Sequence, residues 1–151
     1  MFALKILNSK ERKELLSKIK DQWGAILEND LVFLENNRQR VFVITRDIDR
    51  LDLAKLRINS MGLYFGELIE DKIRLSIEGA ELVGPNASKN VVKVSKEQMR
   101  AWLQGNDIDV DTDADGFVIL RWEDDFIGCG RCSRKKIKNF VPKTRRIKSD
   151  D

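Results

Sequence analysis

Apolar positions along this chain recur in two periods. Between residues 8 and 23, Leu15, Ile19 and Trp23 return every four residues, with Leu16 and Leu27 close to the same stripe. That spacing predicts an amphipathic helix. Asn8 is placed to cap it, Glu11 stands where a capping box wants a carboxylate, and Gly24 is a natural stop. Short apolar runs follow. Residues 31–34 and 40–45 predict two strands, with Asn36-Asn37 in the turn because Asn tolerates positive φ. Residues 47–56 read as a short helix with Ile48, Leu51 and Leu56 inward. Residues 62–68 and 72–76 read as a second hairpin around Glu70-Asp71, with Arg74 a solvated strand residue. Ser76 caps a helix running through Val83, which Gly84-Pro85-Asn86 ends.

The pattern restarts after residues 84–90, a stretch of Gly, Pro, Asn and Ser with no large apolar side chain. Residues 91–94 predict a strand. Ser95 and Gln98 form a capping box for a helix to Gln104, with Met99, Trp102 and Leu103 inward. Lys96 and Arg100 share its exposed side, one turn apart. Ile108 and Val110 alternate with acids. Residues 117–122 and 126–130 then read as two strands around the acidic turn Glu123-Asp124-Asp125. The fold class is therefore α+β. A small N-terminal α/β sandwich-like domain (1–87) with a mostly antiparallel sheet precedes a small β-barrel (88–151).

Charge sharpens this picture. The 151 residues carry a net charge of +3, unevenly distributed. Residues 1–130 hold 19 basic and 23 acidic side chains, and residues 131–151 hold 9 and 2. A cationic end of that density attracts polyanions, because a bound phosphate backbone releases condensed counterions; a solvated tail is the alternative. Ile137, Phe140 and Val141 interrupt the basic run and Pro142 fixes the chain after it, which a purely disordered tail would not need. Ile137 and Val141 anchor the segment. Phe140 is either a third anchor or a stacking platform for an unpaired base, and Asn139 either meets a base edge or caps a turn. Gly128 and Gly130, at alternate strand positions, either admit an RNA backbone or mark a bulge or tight packing. No apolar run reaches the ~20 residues of a membrane helix and no signal peptide is evident, so the expected location is cytoplasmic.

Histidine is absent and there are two cysteines. This excludes a His base, a Ser-His or Cys-His pair and an imidazole metal ligand. Cys129-Gly-Arg-Cys132 lacks two of the four ligands of a zinc site, though Arg131 and Arg134 would favour the thiolates. Asp111-Thr-Asp113-Ala-Asp115-Gly116 fits half a calcium loop, but Trp122 stands where the bidentate Glu belongs, leaving an acidic turn. No metal, cofactor or catalytic residue is assigned.

The second half also resembles a known family. Trp102-Leu-Gln-Gly105, then Gly116-Phe-Val-Ile-Leu-Arg-Trp, Glu-Asp-Asp-Phe-Ile-Gly128-Cys-Gly130, is similar to the PUA domain, a small RNA-binding pseudobarrel. Lys138-Asn-Phe-Val-Pro-Lys143 looks like the end of the PUA-like region in Sun/Fmu-type RNA cytosine-5 methyltransferases. Ile73-Arg-Leu-Ser-Ile-Glu-Gly-Ala-Glu-Leu-Val83 resembles the segment before that domain, and also the Nip-type ribosome-assembly proteins. The likeness covers roughly residues 56–147. It includes neither their S-adenosylmethionine domain nor the Pro-Cys of their nucleophile. It implies a non-enzymatic protein that binds rRNA or tRNA in ribosome assembly or RNA modification. The expected contacts are Lys96, Arg100, Gly128, Gly130, Arg131, Arg134, Lys135, Lys136, Lys138, Asn139, Phe140, Lys143, Arg145 and Arg146. The competing reading is an adaptor whose acidic lobe, residues 107–125, docks a basic protein of a ribosomal or modification complex.

Overall fold

A computed structural model of the chain describes residues 4–27, 31–44 and 62–147. The helix predicted over 47–56 lies outside them. Helix α1 (Ser9–Trp23) starts as its sequence dictates: the Asn8 side chain accepts from the Glu11 N–H while Glu11 reaches back to the Asn8 N–H. It ends on Gly24 in the left-handed conformation. Leu15, Ile19 and Trp23 are buried, as the four-residue spacing requires. Gln22 is buried with them, its amide closing both the N–H and the C=O of Ile73.

Five strands form the first sheet: β1 (Lys5–Ile6), β2 (Val32–Glu35), β3 (Arg40–Ile44), β4 (Leu63–Ile69) and β5 (Lys72–Leu75), antiparallel and in chain order. The β2–β3 hairpin forms as predicted, with one correction. The left-handed residue is Gln39, and the Asn36 side chain instead accepts the N–H groups of Arg38 and Arg40. The β4–β5 turn is made by Glu70 and Asp71, both at positive φ. One extra residue, Phe65, bulges from β4 opposite the Val41/Phe42 step. The bulge turns Phe65 into the core and places Tyr64 on the outer face beside Glu67. Helix α2 (Ile77–Val83) follows, capped by the Ser76 hydroxyl accepting from Gly79 N–H.

The second half adds β6 (Val91–Lys93), helix α3 (Lys96–Leu103), β7 (Ile108–Asp109), β8 (Gly116–Trp122), β9 (Asp125–Ser133) and β10 (Lys136–Lys138). The sheet order is β6-β8-β9-β10-β7, with β6 parallel to β8 and the other pairs antiparallel. Strand β9 runs three residues past the predicted end, and part of the basic run, Lys136–Lys138, forms β10. Arg134 and Lys135, both at positive φ, turn one into the other. Helix α3 carries the predicted Ser95/Gln98 box and lays Met99 and Trp102 against one face of this sheet, over Val118, Leu120, Cys132 and Ile137.

The other face of the second sheet completes the first core. Ile119 and Cys129, paired across β8 and β9, are buried with α1, the first sheet and α2. Phe126 packs against Gly84, where a Cβ would strike its ring. The connecting stretch is held as well. Ser88 and Lys89 donate to the Trp23 carbonyl and the Asn90 amide to that of Gln22.

Candidate nucleic-acid interface

Strand pairing sorts the basic residues. Residues directly opposite one another share a face. Phe117, Arg131 and Lys138 therefore form one row across β8, β9 and β10. Lys136 lies two positions along β10 on that face, with Asp109 as its neighbour on β7. Ile137 and Cys132 point the other way, into the core over Trp102. The alternation of Lys136-Ile137-Lys138 thus builds a cationic face with an apolar back, and Arg131 and Lys138 are both exposed.

Phe140 continues this row toward the first sheet. Its ring lies 6.5 Å from that of Phe117, with the Lys138 ammonium 5.8 Å and the Arg74 guanidinium 4.5 Å from its centre. Arg74 is thus no ordinary solvated strand residue. It pairs with Glu67 at 3.0 Å and stacks on an aromatic ring from the other half of the chain. Arg40 shares Glu67 at 3.7 Å and lies 6.0 Å from the centre of the Tyr64 ring. Arg40, Tyr64, Arg74 and Phe140, with Arg145, border a cleft of about 310 Å³ at the junction of the two sheets. Burial, with Glu67 nearby, raises the Tyr64 pKa and keeps the phenol neutral.

The remaining expected contacts divide. Lys135 meets Asp111 at 2.9 Å and Asp113 at 3.7 Å in an exposed ion pair, and the Asp111 hydrogen bond raises its pKa. Those are two of the three aspartates in the acidic turn that resembles half a calcium loop. Asn139 is consumed by the fold: its amide donates to the carbonyls of Trp102 and Asn106, its oxygen accepts from Val141 N–H, and its own N–H donates to Asp107. This is the turn-capping alternative. Gly128 and Gly130 face Trp102. A Cβ on Gly130 would press into Ile137 and Trp102 and lie 2.7 Å from the Lys138 carbonyl, and one on Gly128 would lie 3.0 Å from the indole nitrogen. The indole fills the side the glycines clear, with a bulge where Gly128 opposes Leu120 and Phe126 opposes Arg121, and Gly128 also lines the cleft between the sheets. Lys96 and Arg100 are exposed on α3, which covers the opposite side of the sheet from Arg131 and Lys138. Arg145 pairs with Glu78 at 2.7 Å. Arg146 donates to the Val141 carbonyl and lies on Gly105, while Ile147 N–H donates to Leu103, so this end is docked rather than loose. Arg134 and Lys143 are exposed.

Cys129 and Cys132 point to opposite faces of β9, one into each core. Burial pushes the Cys129 thiol up to about 12 and raises that of Cys132. Such thiols are poor nucleophiles and poor metal ligands.

Comparison with known proteins agrees with the PUA resemblance. Residues 89–147 match the family described as the methyltransferase RsmF PUA domain. The chain is also similar to ribosomal RNA small subunit methyltransferase F of Aeromonas hydrophila, 25% identical over 138 residues, covering 91% of this chain and 28% of the relative. The protein of the same name from Vibrio cholerae is 25% identical over 144 residues, or 94% of this chain and 30% of the relative. That of Vibrio vulnificus is 30% identical over 91 residues, 60% of this chain and 19% of the relative. The chain thus spans less than a third of these relatives' length. Among the described residues no helix is long and apolar enough to cross a membrane.

Proposed function

We propose that this protein is a non-enzymatic RNA-binding module acting in ribosomal RNA modification or assembly. The observation that carries the proposal is the row Phe117–Arg131–Lys138 on one sheet face, continued by Phe140 and Arg74. Arg131 and Lys138 would hold phosphates and position the chain, with Lys136, Arg134 and Lys143 adding charge around them. Aromatic groups beside those cations suit RNA with unpaired bases better than a regular duplex. The names of the relatives point to small-subunit ribosomal RNA as the RNA to try first. Two buried thiols with raised pKa and a chain without histidine support the reading without catalysis.

The test is binding of small-subunit rRNA fragments across a salt series. If about four phosphates are neutralised, log K falls with log salt at a slope of about −2.8 on single strands. Binding that ignores salt refutes the mechanism. Asp107, Asp111 and Asp113 have partners within the chain, but Asp111 and Asp113 stay exposed, so the acidic lobe is kept as the second reading. A pull-down whose protein partners survive ribonuclease would favour the adaptor reading instead.

A further inference from the structure

The cleft between the two sheets is built differently from the cationic face beside it. Its walls come from both halves of the chain: Arg40, Tyr64 and Arg74 from the first sheet, and Phe140 and Arg145 from the second half. Tyr64 and Phe140 each have a guanidinium against them, Arg40 and Arg74 respectively. An aromatic ring paired with a planar cation is what an unpaired base stacks on. The cations are held by two shared carboxylates. Glu67 serves both Arg40 and Arg74, and Glu78 serves Arg145, so three guanidiniums face two carboxylates. The cleft keeps a surplus positive charge, and each of its guanidiniums already has a carboxylate partner before any ligand arrives. At about 310 Å³ it lies at the small end of ligand sites, about 300–1,000 Å³, which suits one base with its sugar and not a stretch of duplex.

We propose that this cleft takes a single unpaired nucleotide of the bound RNA, its base against Phe140, Tyr64 and the Arg74 guanidinium and its phosphate toward Arg145. The cationic row on β9 and β10 then holds the flanking backbone, so the inference rests on the RNA-binding reading above. The cleft adds what phosphate contacts lack: a preference for RNA that presents an extruded base. Arg145 exchanges Glu78 for the phosphate as the nucleotide enters.

The test uses the full chain and two RNAs, a stem with a one-nucleotide bulge and the same stem fully paired. A 2-aminopurine is placed in the bulge. Stacking in the cleft changes its emission on binding, and the bulged RNA binds about tenfold more tightly than the paired stem. Arg145→Gln, which alters an exposed side chain and keeps the core, lowers bulged-stem affinity more than paired-stem affinity and so removes most of that preference, and Phe140→Leu does the same. Equal affinity for the two RNAs, with 2-aminopurine emission unmoved by the unaltered protein, overturns the cleft proposal alone. Failure of both RNAs to bind overturns it together with the reading on which it rests. Free nucleoside monophosphate is the remaining arm. If it competes with the bulged RNA at equal concentration, the cleft is a site for free nucleotide and the proposal fails.

Discussion

Lys135 and Lys138 are three residues apart in one basic run, and the fold treats them in opposite ways. Lys135 sits in the hairpin turn against Asp111 and Asp113, while Lys138 stands in the row with Arg131 and Phe117. Changing Arg131 and Lys138 together to Ala should weaken RNA binding by about tenfold or more and flatten the salt slope by about 1.4. Lys135→Ala should change RNA affinity by less than about twofold. Equal losses in a filter-binding titration would show that net charge, not placement, sets affinity. Cys129 makes a prediction of another kind. Its thiol is held protonated up to about pH 12, whereas the unfolded chain releases that proton near the ordinary 9.0. The unfolded state thus binds fewer protons over that window, and stability declines as pH rises from about 9 toward 12. Iodoacetamide at pH 8 should label Cys129 only after denaturant is added, as read by mass spectrometry. Fast labelling of the native protein would mean that the first core opens readily.

Elements whose signals are local were legible. Both capping boxes, the Gly24 stop and the Glu70-Asp71 turn each depend on residues within a few positions. Strand β10 was not legible, because Lys136-Ile137-Lys138 is too short to show a period and reads as charge. Nor were the cleft residues Arg40, Tyr64 and Arg74. Their meeting depends on one bulged residue, Phe65, and on the docking of one sheet against another, neither of which leaves a mark in linear order. The glycine pair illustrates a motif whose pattern was visible and whose purpose was not. Because Gly130 leaves no room between Trp102, Ile137 and the Lys138 carbonyl, Gly130→Ala should cost about 1–3 kcal/mol in urea unfolding. RNA affinity per folded molecule should hardly change. Gln22→Leu should also destabilise, by about 1–3 kcal/mol for each Ile73 group left unpaired. A neutral result there would mean that water replaces the amide.

At the scale of the whole molecule, the described cations of the proposed interface are lysines and arginines, and the chain has no histidine. RNA affinity should therefore stay level between about pH 6 and 8.5, since the chain lacks the imidazole whose charge changes in that window. A bell-shaped profile would reveal a contribution from another ionising group. The joint between the halves carries the larger lesson. Ile119 and Cys129 belong by sequence to the second sheet and by burial to the first core, with Phe126 leaning on Gly84 beside them. Severing the chain at the Pro85 turn would thus leave an oily scar on each fragment. The region that looks like a portable cassette should be sticky when expressed by itself, and the intact polypeptide should melt in a single step.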